Sequence, residues 1–105
     1  MTDHRRLADD FARYIKGKYG DRIERVILFG SVARGDQRND SDVDLVVVTP
    51  GDWLTLQSEV AGDAVDWLLR TGVYVSAKVF STKEFALMRD TGFGRGVALE
   101  GIPLA

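Results

Sequence analysis

Two short apolar runs constrain this chain more than any other feature. Arg25-Val26-Ile27-Leu28-Phe29 ends in Gly30-Ser31, and the run Val43-Asp44-Leu45-Val46-Val47-Val48-Thr49 opens on carboxylates at Asp42 and Asp44. The polar segment Gly35–Ser41 lies between them. Short aliphatic runs bounded by turn residues read as buried strands. Side chains alternate between the two faces of a strand, so Asp42 and Asp44 point the same way. Like charges held that close repel unless a cation sits between them. The hard ions Mg²⁺ and Mn²⁺ suit carboxylate and phosphate oxygens.

Gly30-Ser31 supplies the other half of such a site. Glycine has no Cβ and lets backbone approach a phosphate closely. Ser31 offers a hydroxyl and an N–H. A short helix over Ser31–Arg34 would aim its free N–H groups at the same anion. Arg34 and Arg38 are placed to add charge-assisted contacts to phosphate; the competing reading of each is a solvated loop charge. Asp40 shares the parity of Asp42 but precedes the apolar run, and reads as a loop acid. An anion cradle and a metal platform within one segment are the inventory of a nucleoside triphosphate site.

The rest of the chain supplies a scaffold. Leu7, Phe11, Tyr14 and Ile15 recur at helical spacing, which predicts an amphipathic helix from about Asp3 to Tyr19, stopped by Gly20. Trp53–Arg70 reads as a long helix broken by Gly72, and Val73–Phe80 as a third strand. Ser81-Thr82-Lys83-Glu84 has the capping-box form and predicts a helix over Thr82–Asp90. Gly92, Gly94 and Gly96 loosen the chain before a last helical turn around Val97–Glu100. They follow a helix and not a strand, so they are no dinucleotide fingerprint. The order αβαβαβα predicts a single α/β domain, residues 1–105, with a small sheet in two or three layers.

Composition narrows the function. A net charge of −2 gives no electrostatic case for nucleic acid. The absence of cysteine excludes disulfides and thiolate metal sites. No apolar run approaches the roughly 20 residues of a membrane span, and no apolar stretch follows the polar start, so a cytoplasmic protein is expected. In the long helix, Trp53, Leu56, Val60, Ala64 and Trp67 form one stripe. Leu54, Ala61, Val65 and Leu68 form a second. Together they are wider than one sheet contact needs. The surplus is either buried within the monomer or packed on another chain, a homodimer included. His4 reads as a surface residue, and Asp63 and Asp66 as an exposed helix face.

The string Phe29-Gly30-Ser31-Val32-Ala33-Arg34-Gly35, followed by Ser41-Asp42-Val43-Asp44-Leu45, resembles the minimal nucleotidyltransferases (MNT). These belong to the polymerase-β-like nucleotidyltransferase superfamily and are often paired with a HEPN-domain protein. The resemblance extends over essentially the whole chain, including Glu100-Gly101-Ile102-Pro103-Leu104. It implies a nucleotidyltransferase fold, an α/β domain with a mixed sheet of three or four strands flanked by helices. It implies that Asp42 and Asp44 are the catalytic metal ligands, and that Gly30, Ser31 and Arg34 bind nucleotide; Lys78, where the chain departs from the pattern, is a further nucleotide-binding candidate. The implied reaction moves AMP from ATP to a tyrosine hydroxyl of a HEPN-type toxin, with this chain as antitoxin.

The chain departs from the pattern at one place. Many members carry a third carboxylate on a later strand, whereas Val73–Phe80 contains no acid. Ser76 or Lys78 stands there instead. Strand parity puts Lys78 on the face of Tyr74, Ser76 and Phe80. An ammonium there would repel a second metal yet could bind phosphate. Two alternatives therefore stand beside the transferase: a degenerate module that neutralises a toxin by complex formation, and a transferase acting on a small molecule or an RNA end.

Overall fold

The computed structural model describes residues 3–38 and 40–105; Asn39, in the loop expected over 35–41, lies outside the described residues. Helix α1 (His4–Tyr19) begins where Asp3 accepts the Arg6 N–H, and it ends on Lys16 and Lys18, which suit the negative end of its dipole. A 3-10 turn over Gly20–Arg22 leads into β1 (Arg25–Phe29). The elements α2 (Gly30–Arg34), β2 (Val43–Thr49), α3 (Trp53–Thr71) and β3 (Val75–Ser81) follow. Helix α4 (Thr82–Leu87) carries the expected capping box between Ser81 and Glu84 and tightens into a 3-10 turn over Met88–Asp90. Helix α5 (Gly92–Glu100) and the two-residue strand β4 (Ile102–Pro103) complete the chain.

The sheet has four strands in the order β3-β2-β1-β4. β1 runs antiparallel to β2 and β4, and β2 runs parallel to β3, with α3 as the crossover. The sheet is thus mixed and four-stranded, as the resemblance implies. Alternation sorts its side chains. Val26, Leu28, Val43, Leu45, Val47, Val75 and Val79 pack with Phe11 and Ile15 of α1 and Leu56 and Val60 of α3. Ile27, Val46 and Val48 turn to the opposite face, where Val97 of α5 meets them with Phe29, Phe80 and Phe85. Each buried aliphatic contributes about 1.5–3 kcal/mol. Every residue of β2 except Asp44 is buried, so this central strand anchors both layers. The single polar break in it is where the site lies.

Several expectations are corrected. The three glycines do not loosen the chain: they lie inside α5, whose N-terminus Thr91 caps by accepting the Gly94 N–H. A Cβ on Gly94 would stand 2.6 Å from the Met88 carbonyl carbon, so this glycine permits tight packing of α5 on the preceding turn. His4 is 1 % exposed and not a surface residue. Its spacing to Ala8 and Phe11 puts it on the buried face of α1.

Asp63 is 4 % exposed and does not lie on a solvated helix face. It accepts hydrogen bonds from the Tyr19 hydroxyl at 2.5 Å and the Lys18 ammonium at 2.7 Å, tying α3 to α1. Burial, and then the bond to Asp63, push the Tyr19 phenol up to about 12. Asp66 is exposed, as expected. Of the two α3 stripes, Leu56, Val60 and Ala64 are core, whereas Leu54, Val65 and Leu68 remain exposed together with Leu69. No helix among the described residues is long and apolar enough to cross a membrane.

Candidate active site

Strand register assembles the site. Phe29 pairs with Asp44 across the antiparallel ladder, and Asp44 pairs with Ser76 across the parallel one. Asp44 therefore has the Gly30-Ser31 turn on one side and Ser76 on the other. Lys78 stands one step further along β3, beside Val46, on the same face. Its ammonium lies 5.6 Å from the centre of the Phe29 ring, within cation–π range.

The electrostatics agree with this layout. Burial pushes the Asp44 carboxyl above its ordinary range, Lys78 opposes that, Asp42 adds to it, and Arg34 opposes it again. Two carboxylates and two cations thus act on one another at the end of β2. Asp42 is exposed in the residue just before the strand, while Asp44 is half-buried within it.

Gly30 performs a different service from the one expected of it. It opens α2 at φ +76°, and a Cβ there would stand 3.2 Å from Asp44 Cγ and closer still to Oδ2. The missing side chain makes room for the Asp44 carboxylate before it makes room for any phosphate. Helix α2 is only five residues long, has no side-chain cap at Phe29, and is closed by Gly35. Arg34 is engaged by Asp36 and Glu100, each at 3.3 Å. Both pairs are exposed and screened by solvent, so the guanidinium is readily exchanged onto a stronger anion. Arg38 stays in the loop, its N–H donating to the Ser41 hydroxyl.

The structure brings together Gly30, Ser31, Arg34, Asp42, Asp44 and Lys78. It supplies no third acid: among the described residues no trio of His, Cys, Asp or Glu is placed to hold a metal. Asp63 and Asp66 belong to α3, which packs on the other face of the sheet. Sequence reasoning missed Phe93, whose ring meets Phe29 edge-on at 5.4 Å. An aromatic residue between two glycines was its only signal.

A mixed α/β sheet that joins a Gly-Ser turn to an Asp-x-Asp strand on one face has the layout of a nucleotidyl-transfer domain. The chain belongs to the nucleotidyltransferase domain family, whose profile matches residues 8–99, and it is a nucleotidyltransferase-like enzyme. MJ0604 of Methanocaldococcus jannaschii, which carries the name of a protein adenylyltransferase, is 37% identical over 92 residues, 88% of each chain. MJ1305 of the same organism, similarly named, is 30% identical over 84 residues, covering 77% of this chain and 57% of its own. A crystal structure of a toxin–antitoxin with AMP-PNP is similar at TM-score 0.61 and 18% identity, over 92% of this chain and 72% of that one. So is the tri-AMPylated Shewanella oneidensis HEPN toxin in complex with MNT antitoxin, at TM-score 0.54 and 14% identity, over 95% of this chain and 71% of that one. At these identities the solved structures speak for the fold.

Proposed function

We propose that this chain transfers AMP from ATP to a hydroxyl of a HEPN-type partner protein and thereby acts as its antitoxin. The observation that carries the reading is Asp44 seated between the Gly30-Ser31 turn and β3, with Lys78 on the same face and Asp42 beside it. The names of the relatives and the toxin–antitoxin complexes among the structural neighbours favour the acceptor class.

Asp42 and Asp44 fit a divalent cation. Their mutual repulsion is relieved by one, and both are acceptor-only oxygen ligands. Two carboxylates alone are a weak site, and Mg²⁺ or Mn²⁺ would complete its shell with water and substrate phosphate. When bound, the ion supplies charge neutralisation at phosphate and a lower pKa for the attacking hydroxyl. Ser31 and the backbone at Gly30 grip the terminal phosphates, and Lys78 and Arg34 offset their charge. The acceptor oxygen bonds to the α-phosphorus, the α–β bridging bond breaks, and pyrophosphate leaves. The hydroxyl proton passes to solvent. The exposed Leu54, Val65, Leu68 and Leu69 of α3 give the partner, or a second copy of the chain, an apolar surface to bind.

A second reading has its own support. Lys78 and Ser76 hold the place where a third acid would complete the metal site, which favours a module that neutralises its partner by complex formation with little transfer. Labelled ATP, Mg²⁺ and a HEPN-domain protein as acceptor separate the two. Label on the partner that vanishes in Asp42→Asn/Asp44→Asn supports transfer. A stable complex without label supports the second reading, and neither outcome removes both.

A further inference from the structure

Next to Gly30, and on the same side of the sheet as Asp44, a hollow of about 240 Å³ opens between α2 and α5. Phe29 and Phe93 line it with aromatic rings, together with Gly92 and Gly96, Arg34 and Glu100. The Phe93 ring is the outermost of three. It meets Phe29 edge-on at 5.4 Å and Phe80 at 6.2 Å, yet stays 39 % exposed. Its neighbours fix its position, and part of its surface remains uncovered.

Packing does not require every glycine of α5. Gly94 is required, since a Cβ there would strike the Met88 backbone. A Cβ on Gly92 or Gly96 would meet nothing within 4 Å, and neither has a positive φ. A helix-interior glycine costs roughly 0.8–1.0 kcal/mol against alanine. Helix α5 therefore bears glycine at a position, Gly96, where packing permits a larger residue and helix propensity favours one. A glycine there leaves the hollow open.

We propose that this hollow receives the base of the nucleotide whose phosphates lie at Gly30-Ser31, with the base stacked on Phe93. Every nucleobase has a π-face, and an exposed, immobilised ring is the surface it stacks on. Glu100, which also lines the hollow, presents an acceptor to the edge of the base once Arg34 turns to the phosphates. The proposal rests on the nucleotide-binding reading above and adds the element that distinguishes a nucleotide from a bare polyphosphate.

The test uses that distinction. ATP and inorganic tripolyphosphate, each with Mg²⁺, are titrated against the parent protein, Phe93→Ala, Phe93→Tyr and Gly96→Leu. Phe93→Ala is expected to weaken ATP roughly tenfold, the middle of the range for one base stacked on one ring, and to leave tripolyphosphate unchanged. Phe93→Tyr should keep ATP affinity. Gly96→Leu should exclude ATP but not tripolyphosphate, with a melting temperature no lower than the parent's. Unchanged ATP affinity in both Phe93→Ala and Gly96→Leu overturns the proposal. So does an equal loss of both ligands. A parent that binds tripolyphosphate and ATP equally well overturns it while leaving the phosphate site standing; a parent that binds neither removes the nucleotide reading itself.

Discussion

Gly30 and Asp44 are fitted to one another: the space a Cβ of Gly30 would fill is taken by the Asp44 carboxylate. Gly30→Ala therefore does two things at once. It places an L-residue at φ +76°, and it drives the new methyl into Asp44. We expect a loss of about 1–3 kcal/mol of stability, together with loss of Mg²⁺-supported ATP binding. Chemical denaturation and ATP titration on the same variant measure both. A variant as stable as the parent would refute the fit.

Asp44 contributes to the site at a cost to the fold. Burial raises its pKa, so the folded state prefers the protonated carboxyl. The sign follows: stability is higher where Asp44 is protonated and falls as pH rises through its folded pKa. Asp44→Asn should accordingly melt higher than the parent at pH 7. The double variant Asp42→Asn/Asp44→Asn should bind ATP with an affinity indifferent to Mg²⁺. A lower melting temperature for Asp44→Asn would contradict the burial argument.

Ser76 stands in register beside Asp44, so Ser76→Asp puts a third carboxylate where the ladder aligns it. We expect tighter Mg²⁺ or Mn²⁺ binding and faster transfer to the partner. Lys78→Met should weaken ATP, since the phosphates lose a nearby cation. If Ser76→Asp leaves metal affinity unchanged, the strand face does not address the metal.

The burial of the Tyr19 phenol, together with its bond to Asp63, makes the fold sensitive to alkali. The Tyr19 phenol is raised from 10.0 to about 12, so the stability this pair gives is present in full below pH 10 and is lost as the pH rises toward 12. Tyr19→Phe should flatten that decline. At pH 7 it should cost about 1.5–3 kcal/mol, the range for a hydrogen bond to a charged group. Urea melts of both proteins from pH 7 to 11.5 provide the comparison.

Leu69 is 79 % exposed on α3. Leu69→Glu should leave the isolated chain within about 0.5 kcal/mol of the parent and weaken association with the HEPN-type partner in gel filtration. If the complex survives, the partner binds another face. A change in the size of the isolated chain alone would instead identify the surface as a homodimer contact.

Much of this molecule is legible in its sequence because its signals are local. The aliphatic runs give β1 and β2 their observed limits, and Ser81 and Glu84 fix the start of α4 within four residues of chain. What escaped depends on partners distant along the chain. Nothing near Asp63 announces that Lys18 and Tyr19 reach it. Gly94 resembles a flexible spacer until the Met88 backbone is laid against it. Strand β4 spans two residues, Ile102 and Pro103, too few for any alternation, and exists because β1 has a free edge to pair. The site shows the same division. The acid pair and the Gly-Ser turn are visible as a pattern, and strand parity places Lys78 on a face; that this face is the one bearing Asp44 follows only from the parallel register of β2 and β3.

The sheet divides its labour between its faces, and that division has an evolutionary consequence. The large core lies against α1 and α3, on the side away from Asp44 and Lys78. Erasing the acids would therefore leave that core, and the outer surface of α3, intact. A copy of the gene that lost them would lose its chemistry while keeping both, because the acids and the packing of α3 occupy opposite faces of a single sheet.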